Sequence, residues 1–112
     1  MKKCTTMPEI RKEIDRVDRI ITPLLVERLE YIKQAGHIKN DRNSVRDEWR
    51  IEDVISKVIT TAQSCDGDIK MAEDVYRFII EWSINHEFEI YDSLTKNNEE
   101  FEQAYFPKQS EQ

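Results

Sequence analysis

Glycine and proline are scarce, with two and three residues in a chain of 112. So few left-handed turns and strand-ending punctuators exclude a sandwich or a barrel and leave a helical protein. Long hydrophobic runs are missing: no stretch approaches the roughly 18 apolar residues of a membrane span. The segment from Met1 to Met7 is also too short and polar for a signal peptide. Basic residues are outnumbered, 17 lysines and arginines against 23 aspartates and glutamates, for a formal net charge of -6. Non-specific binding to nucleic acid needs the reverse balance. The two cysteines, Cys4 and Cys65, have no metal-ligand spacing and read as free thiols. A Gly-rich phosphate loop, an internal repeat and a low-complexity tract are all absent. The expectation is a soluble, cytoplasmic protein with no nucleic-acid or membrane partner, whose chemistry lies on helix faces.

What is present is two-faced helix. Hydrophobic residues make up 38% and charged residues 36%, enough for a core only if each helix buries one side. The length allows one domain. Thr6, Met7, Pro8 and Glu9 read as a helix start, with a hydroxyl cap, a proline in the first turn and a carboxylate three residues after the cap. Ile10, Ile14, Val17, Ile21, Leu24, Leu25, Tyr31, Ile32 and Ala35 then keep helical spacing to about Ile38. A helix of about 30 residues is roughly 45 Å long, more than so small a domain can bury against itself, so a partner chain is expected. Pro23 predicts a kink rather than a break. Asn40 to Ser44 reads as a loop. Helix 2 carries Ile51, Val54, Ile55, Val58, Ile59 and Ala62 and stops near Ser64, before a turn over Cys65, Asp66, Gly67 and Asp68.

Helix 3, capped by Asp68, carries Val75, Phe78, Ile79, Trp82, His86, Ile90 and Leu94 on one stripe and should run from about Ile69 to at least Leu94. The predicted architecture is all-α, with a long helix 1, a short helix 2 and a long helix 3 in residues 1–94. A polar tail, 95–112, follows. Its Phe101, Tyr105 and Phe106 either form a last amphipathic turn or, the reading favoured here, sit in mostly frayed chain.

Three cations, Arg11, Arg28 and Lys39, interrupt or border the helix 1 stripe. Arg28 and Lys39 are eleven residues apart, which returns them to within about 20° of each other and about 16 Å apart along the axis, so they can flank one small anion. Arg11, seventeen residues before Arg28, points roughly 100° away, and a second copy of the chain could supply it. The plain alternative is solvated arginines, or arginines paired with Asp15, Glu27 or Glu30. Their company favours a pocket: Val45, Arg46, Asp47 and Arg50 lie at the start of helix 2, and Ser83 and Glu87 lie one turn apart on helix 3. His37 and His86 sit on different helices and lack the second histidine of a zinc helix. Asp66 and Asp68 flank Gly67 as a turn with too few ligands for calcium. Trp49, Tyr76 and Trp82 read as core or interface aromatics. No metal site is expected.

With these residues in order, the chain from about Cys4 to Leu94 resembles the all-helical chorismate mutases and the related isochorismate pyruvate-lyases. The resemblance is carried by Ile10-Arg11 with Ile14 and Asp18, by Leu24-Leu25-Val26-Glu27-Arg28, and by Lys39. It continues through Val45-Arg46-Asp47-Glu48-Trp49-Arg50 and Ile79-Ile80-Glu81-Trp82-Ser83. It implies three helices per chain intertwined in a homodimer, with two sites that each borrow Arg11 from the neighbouring subunit. Arg11 and Arg28 then clamp the two substrate carboxylates, with Arg50 and Ser83 assisting, as bidentate guanidinium recognition requires. Lys39 matches the lysine that donates to the ether oxygen, and Asp47 a residue beside the ring hydroxyl. The reaction so implied is the pericyclic rearrangement of chorismate to prephenate, which needs no nucleophile, metal or organic cofactor. The protein folds the substrate into a reactive chair and stabilises charge developing on the ether oxygen.

This chain departs from the family pattern in two places. Ile51 stands where bacterial mutases commonly have a glutamate for the substrate hydroxyl, and the lyases are apolar there. Cys4-Thr5, Tyr31 with Lys33, and Trp82 are also similar to the lyase branch, in which isochorismate is split to salicylate and pyruvate. Asp47 and Ser83 are mutase-like, and the balance leans to mutase. The second departure is Glu87, where many bacterial members have a glutamine hydrogen-bonded to the ether oxygen. An ionised carboxylate would repel that oxygen, so the expectation is that Glu87 acts protonated. Activity should then decline as pH rises, and Glu87→Gln should sustain it. The mutase reading places the protein in aromatic amino-acid biosynthesis, and the lyase reading in salicylate or siderophore supply. The non-enzymatic rival is a helical dimerisation module, which would gain nothing from desolvated cations near its seam.

Overall fold

Thr6 starts the first helix as its sequence suggests: its hydroxyl accepts the amide of Glu9 at 3.3 Å, while the Glu9 carboxylate reaches back to the amide of Thr5 at 3.0 Å. One of the amides that a helix start leaves without partners, that of Glu9, is thereby satisfied, and the residue before the cap is tied to the first turn. The computed structural model describes residues 1–105. Over that span the chain forms α1 (Met7–Ile38), a 3-10 turn (Arg42–Ser44), α2 (Glu48–Ser64) and α3 (Ile69–Tyr105). No strand occurs among the described residues, and the fold is all-α with three α-helices. Helix α1 is unbroken across Pro23.

The chain makes two compact units, Met1–Ile32 and the part from Lys33 onward. The first unit is the greater part of α1, and its apolar residues stay on the surface: Ile14, Ile20, Leu24 and Val26 are each more than half exposed. The second unit holds the core. Val45, Ile51, Ile55, Ile80 and Ile84 are buried together, with Val54, Ile59, Tyr76, Phe88 and Tyr91 packed around them. Burying a branched side chain of this size stabilises by about 1.5–3 kcal/mol, so these residues fix α2 against α3.

Asp47 caps α2 by accepting the amide of Arg50 at 3.1 Å. Helix α2 ends where Asp66 adopts a positive φ of 53° and the Gly67 amide reaches back to the Ala62 carbonyl at 2.8 Å. This is the left-handed helix stop, supplied here by aspartate. Asp68 then caps α3, accepting the amide of Met71 at 3.0 Å.

Two expectations change on α3. The helix continues through 95–105, where the polar sequence favours frayed chain, because neither glycine nor proline occurs between Ile69 and Tyr105. Phe106 lies outside the described residues. The stripe that packs on α2 is also not the expected one. Phe78 is 71% exposed and Trp82 51%, whereas Ile80 and Ile84 are exposed by only 5% and 8%. Apolar residues occupy more than one side of this helix, and α2 covers only the side with Ile80 and Ile84.

Candidate active site

The polar site of the second unit begins at the end of α1. The Lys39 amide bonds the Ala35 carbonyl at 3.1 Å, which continues the helical pattern one residue beyond Ile38. The Lys39 side chain is thereby aimed at α3. Its ammonium stands 2.7 Å from Oε1 of Glu87 and 3.5 Å from the Val45 carbonyl. Glu87 is 4% exposed. The 2.7 Å approach is a charge contact rather than an aligned hydrogen bond, since Oε1 has no partner of hydrogen-bond geometry among the described residues. An ammonium has three protons, so Lys39 keeps donor capacity beyond Glu87.

Gly36, one turn before Lys39, makes this approach possible. A Cβ there would lie 3.0 Å from Cγ2 and 3.3 Å from Cβ of Ile90, and 3.5 Å from Cγ of Glu87. The residue is buried inside a helix, where glycine costs about 1 kcal/mol relative to alanine. The close approach of α3 accounts for it. An isolated glycine within a helical pattern hints at a close approach but does not say to which residue.

Ser83 and Glu87 are both buried on α3, one turn apart. The Ser83 hydroxyl donates to the Ile79 carbonyl at 2.7 Å. Ile51 belongs to the core, 7% exposed and packed with Ile55, Ile80 and Ile84. Asp47 is exposed and occupied as the α2 cap. Arg50 is exposed, its guanidinium 2.6 Å from Asp53, which also receives Lys57 at 3.0 Å. These two hydrogen bonds, that of Lys57 and then that of Arg50, hold the Asp53 carboxyl below its usual range. Arg50 borders an open groove of about 420 Å³ that Val54, Val58, Ala62 and Tyr76 also line.

Arg11 and Arg28 belong to the first unit, Arg11 exposed and Arg28 half-buried. On α3, Trp82 stacks on His86 with ring centroids 5.3 Å apart, and the His86 Nε2 is buried without a hydrogen-bond partner among the described residues. Among those residues no three of histidine, cysteine, aspartate and glutamate converge as metal ligands would. No helix among them is long and apolar enough to cross a membrane.

These features define a small all-α protein with a half-buried lysine facing a buried carboxylate beside its helical core. Residues 10–88 match the family described as chorismate mutase type II, and the chain belongs to that family. It is also similar to a protein of Pseudomonas aeruginosa named isochorismate pyruvate lyase. The two are 28% identical over 81 residues, which cover 72% of this chain and 80% of the relative.

Proposed function

We propose that the chain is a homodimeric chorismate mutase, an isomerase that converts chorismate to prephenate in one pericyclic step. A carbon–carbon bond forms as the ether carbon–oxygen bond breaks, and no atom is gained or lost. The observation that carries the reading is the Lys39 ammonium, held at 2.7 Å against the buried Glu87 carboxylate with donor capacity remaining. A positive donor fixed in a shielded site stabilises negative charge growing on an ether oxygen without reorganising in the transition state.

The other roles follow the family resemblance. Arg28 and the second subunit's Arg11 take the two carboxylates, with Arg50 and Ser83 assisting, and Asp47 stands beside the ring hydroxyl. The apolar side chains that a single chain leaves exposed on α1 (Ile14, Leu24) and on α3 (Val75, Phe78, Trp82) support a dimer.

A second reading is isochorismate pyruvate lyase, giving salicylate and pyruvate. It is favoured by Ile51, an apolar core residue where a mutase would carry a hydroxyl-binding glutamate, and by the name of the Pseudomonas aeruginosa relative. One experiment separates them. The purified protein is given chorismate and isochorismate in separate reactions, and prephenate, salicylate and pyruvate are resolved. Prephenate from chorismate is the expected product; salicylate with equimolar pyruvate from isochorismate alone would install the second reading. Absence of turnover on both would leave a helical dimerisation module.

A further inference from the structure

Two arginines of the segment joining α1 to α2 tie it to α3. Arg42 donates to the two oxygens of Asp92 at 3.0 and 3.4 Å and lies over the Phe88 ring, 4.5 Å from its centroid. Arg46 donates to both oxygens of Glu81 at 2.9 and 2.8 Å, and its Nε donates to Glu48 at 2.7 Å. Glu81, Phe88 and Asp92 are spaced seven and four residues apart, which places them on one stripe of α3, about 16 Å from end to end. The arginines therefore strap the segment lengthwise along the helix, beside the buried stripe of Ile80, Ile84 and Glu87. Between the two ties Val45 is pushed into the core at 3% exposure, and its carbonyl faces the Lys39 ammonium at 3.5 Å. Tyr91 adds a hydroxyl bond to the Asn40 carbonyl at 3.4 Å.

The two ends of this segment are Lys39 and Asp47, both assigned to the substrate above. We infer that Arg42 and Arg46 are positioning residues that set the place of Lys39 and of the α2 start through the strap along α3. The inference rests on the proposed activity. Single exposed ion pairs contribute little to stability, so losing a tie should move the segment without unfolding the helices. Reacting groups, by contrast, are sensitive to displacements of an ångström or less.

The test uses Arg42→Ala, Arg46→Ala and the exchanged pair Arg42→Asp with Asp92→Arg in the full-length protein. Turnover of chorismate and of isochorismate, thermal stability and amide hydrogen exchange across residues 40–47 are followed. The expected result is a kcat lower by about tenfold in each alanine variant, with KM changed less than threefold, a melting temperature close to that of the wild type, and faster exchange in the segment. The exchanged pair should recover at least half of the lost kcat. Unchanged kcat, or unchanged exchange, in both alanine variants would overturn the inference. So would a loss of kcat that only tracks loss of folded protein. If the wild type turns over neither substrate, the proposed activity fails and the positioning role fails with it, while exchange still shows whether the arginines hold the segment.

Discussion

The Lys39 ammonium and the Glu87 carboxylate meet at 2.7 Å across the junction of α1 with α3, and Glu87 is almost without solvent contact. Removing either partner alone leaves the other in a costly state, because a half-buried charge loses its counter-ion. Lys39→Ala should therefore lower kcat/KM by about 10²–10³-fold, the loss typical of a transition-state donor, with some loss of stability. The Lys39→Ala/Glu87→Gln double variant should regain that stability without regaining turnover. Restored turnover in the double variant would remove Lys39 from the chemistry.

Glu87 has two neighbours that bear on what it can offer a substrate. Lys39 faces it directly, and His86, beside it on α3, has its Nδ1 3.6 Å from Glu89. A substrate ether oxygen meeting an ionised carboxylate would be repelled, whereas a carboxylic acid or an amide would donate to it. The expected outcome is that Glu87→Gln, whose amide can donate to the ether oxygen, keeps at least the kcat/KM of the wild type. A Glu87→Gln variant without turnover would show that the site needs the carboxyl group itself.

Much of this arrangement is legible in the sequence because it depends on local rules. Thr6 and Asp68 are capping side chains at the expected helix starts, and Asn40 to Ser44 lies in the gap between α1 and α2. The α2 stripe is buried or half-buried throughout, since the aliphatic residues of that short helix all lie on one side; Trp49, on the opposite side, is exposed. Helix α3 defeats the same reasoning. Phe78, Ile79 and Ile80 are consecutive and all apolar, so periodicity does not say which side α2 covers. Gly36 and the Arg42–Asp92 tie are not legible there for a related reason. Their meaning lies in contacts with residues some fifty positions away, which no local pattern encodes.

Gly36 tests the closeness of α1 and α3. An alanine gains about 1 kcal/mol of helix propensity but must push Ile90 aside by a few tenths of an ångström. Gly36→Ala should thus change stability by less than about 1 kcal/mol, whereas the bulkier Gly36→Val should cost about 1–3 kcal/mol through overpacking. Urea unfolding measures both. A valine variant as stable as the wild type would mean that the helices do not approach so closely.

Acid should weaken the fold through the ion pairs between helices. The Arg77 guanidinium holds the Glu52 carboxyl below its usual range, and Arg46 does the same to Glu81. A carboxyl with a lower pKa when folded contributes stability above its unfolded value, about 4.3, and that contribution is lost as pH falls through the folded value. The melting temperature should therefore fall as pH drops below about 5. Glu52→Gln and Glu81→Gln should melt slightly lower than the wild type near neutrality and converge with it in acid. Curves that stay parallel down to pH 2 would show that these pairs contribute nothing.

The exposed apolar side of α1 gives the sharpest test of assembly. Leu24 is 58% exposed in a single chain, and at such a site a polar substitution would ordinarily change stability by no more than about 0.5 kcal/mol. If a second subunit covers α1, Leu24→Glu buries a carboxylate in an apolar contact and the dimer dissociates. Sedimentation should then move from twice the chain mass toward the single-chain value of 13.4 kDa. Turnover should fall in parallel, because the proposed site takes Arg11 from the other subunit. Mixing an Arg11→Ala chain with a Lys39→Ala chain tests that sharing. Each homodimer is inactive, and random pairing should restore one intact site in the mixed dimer, about a quarter of wild-type activity if subunits assort evenly. A mixture as inactive as its parents would show that the two residues serve the same site from the same chain.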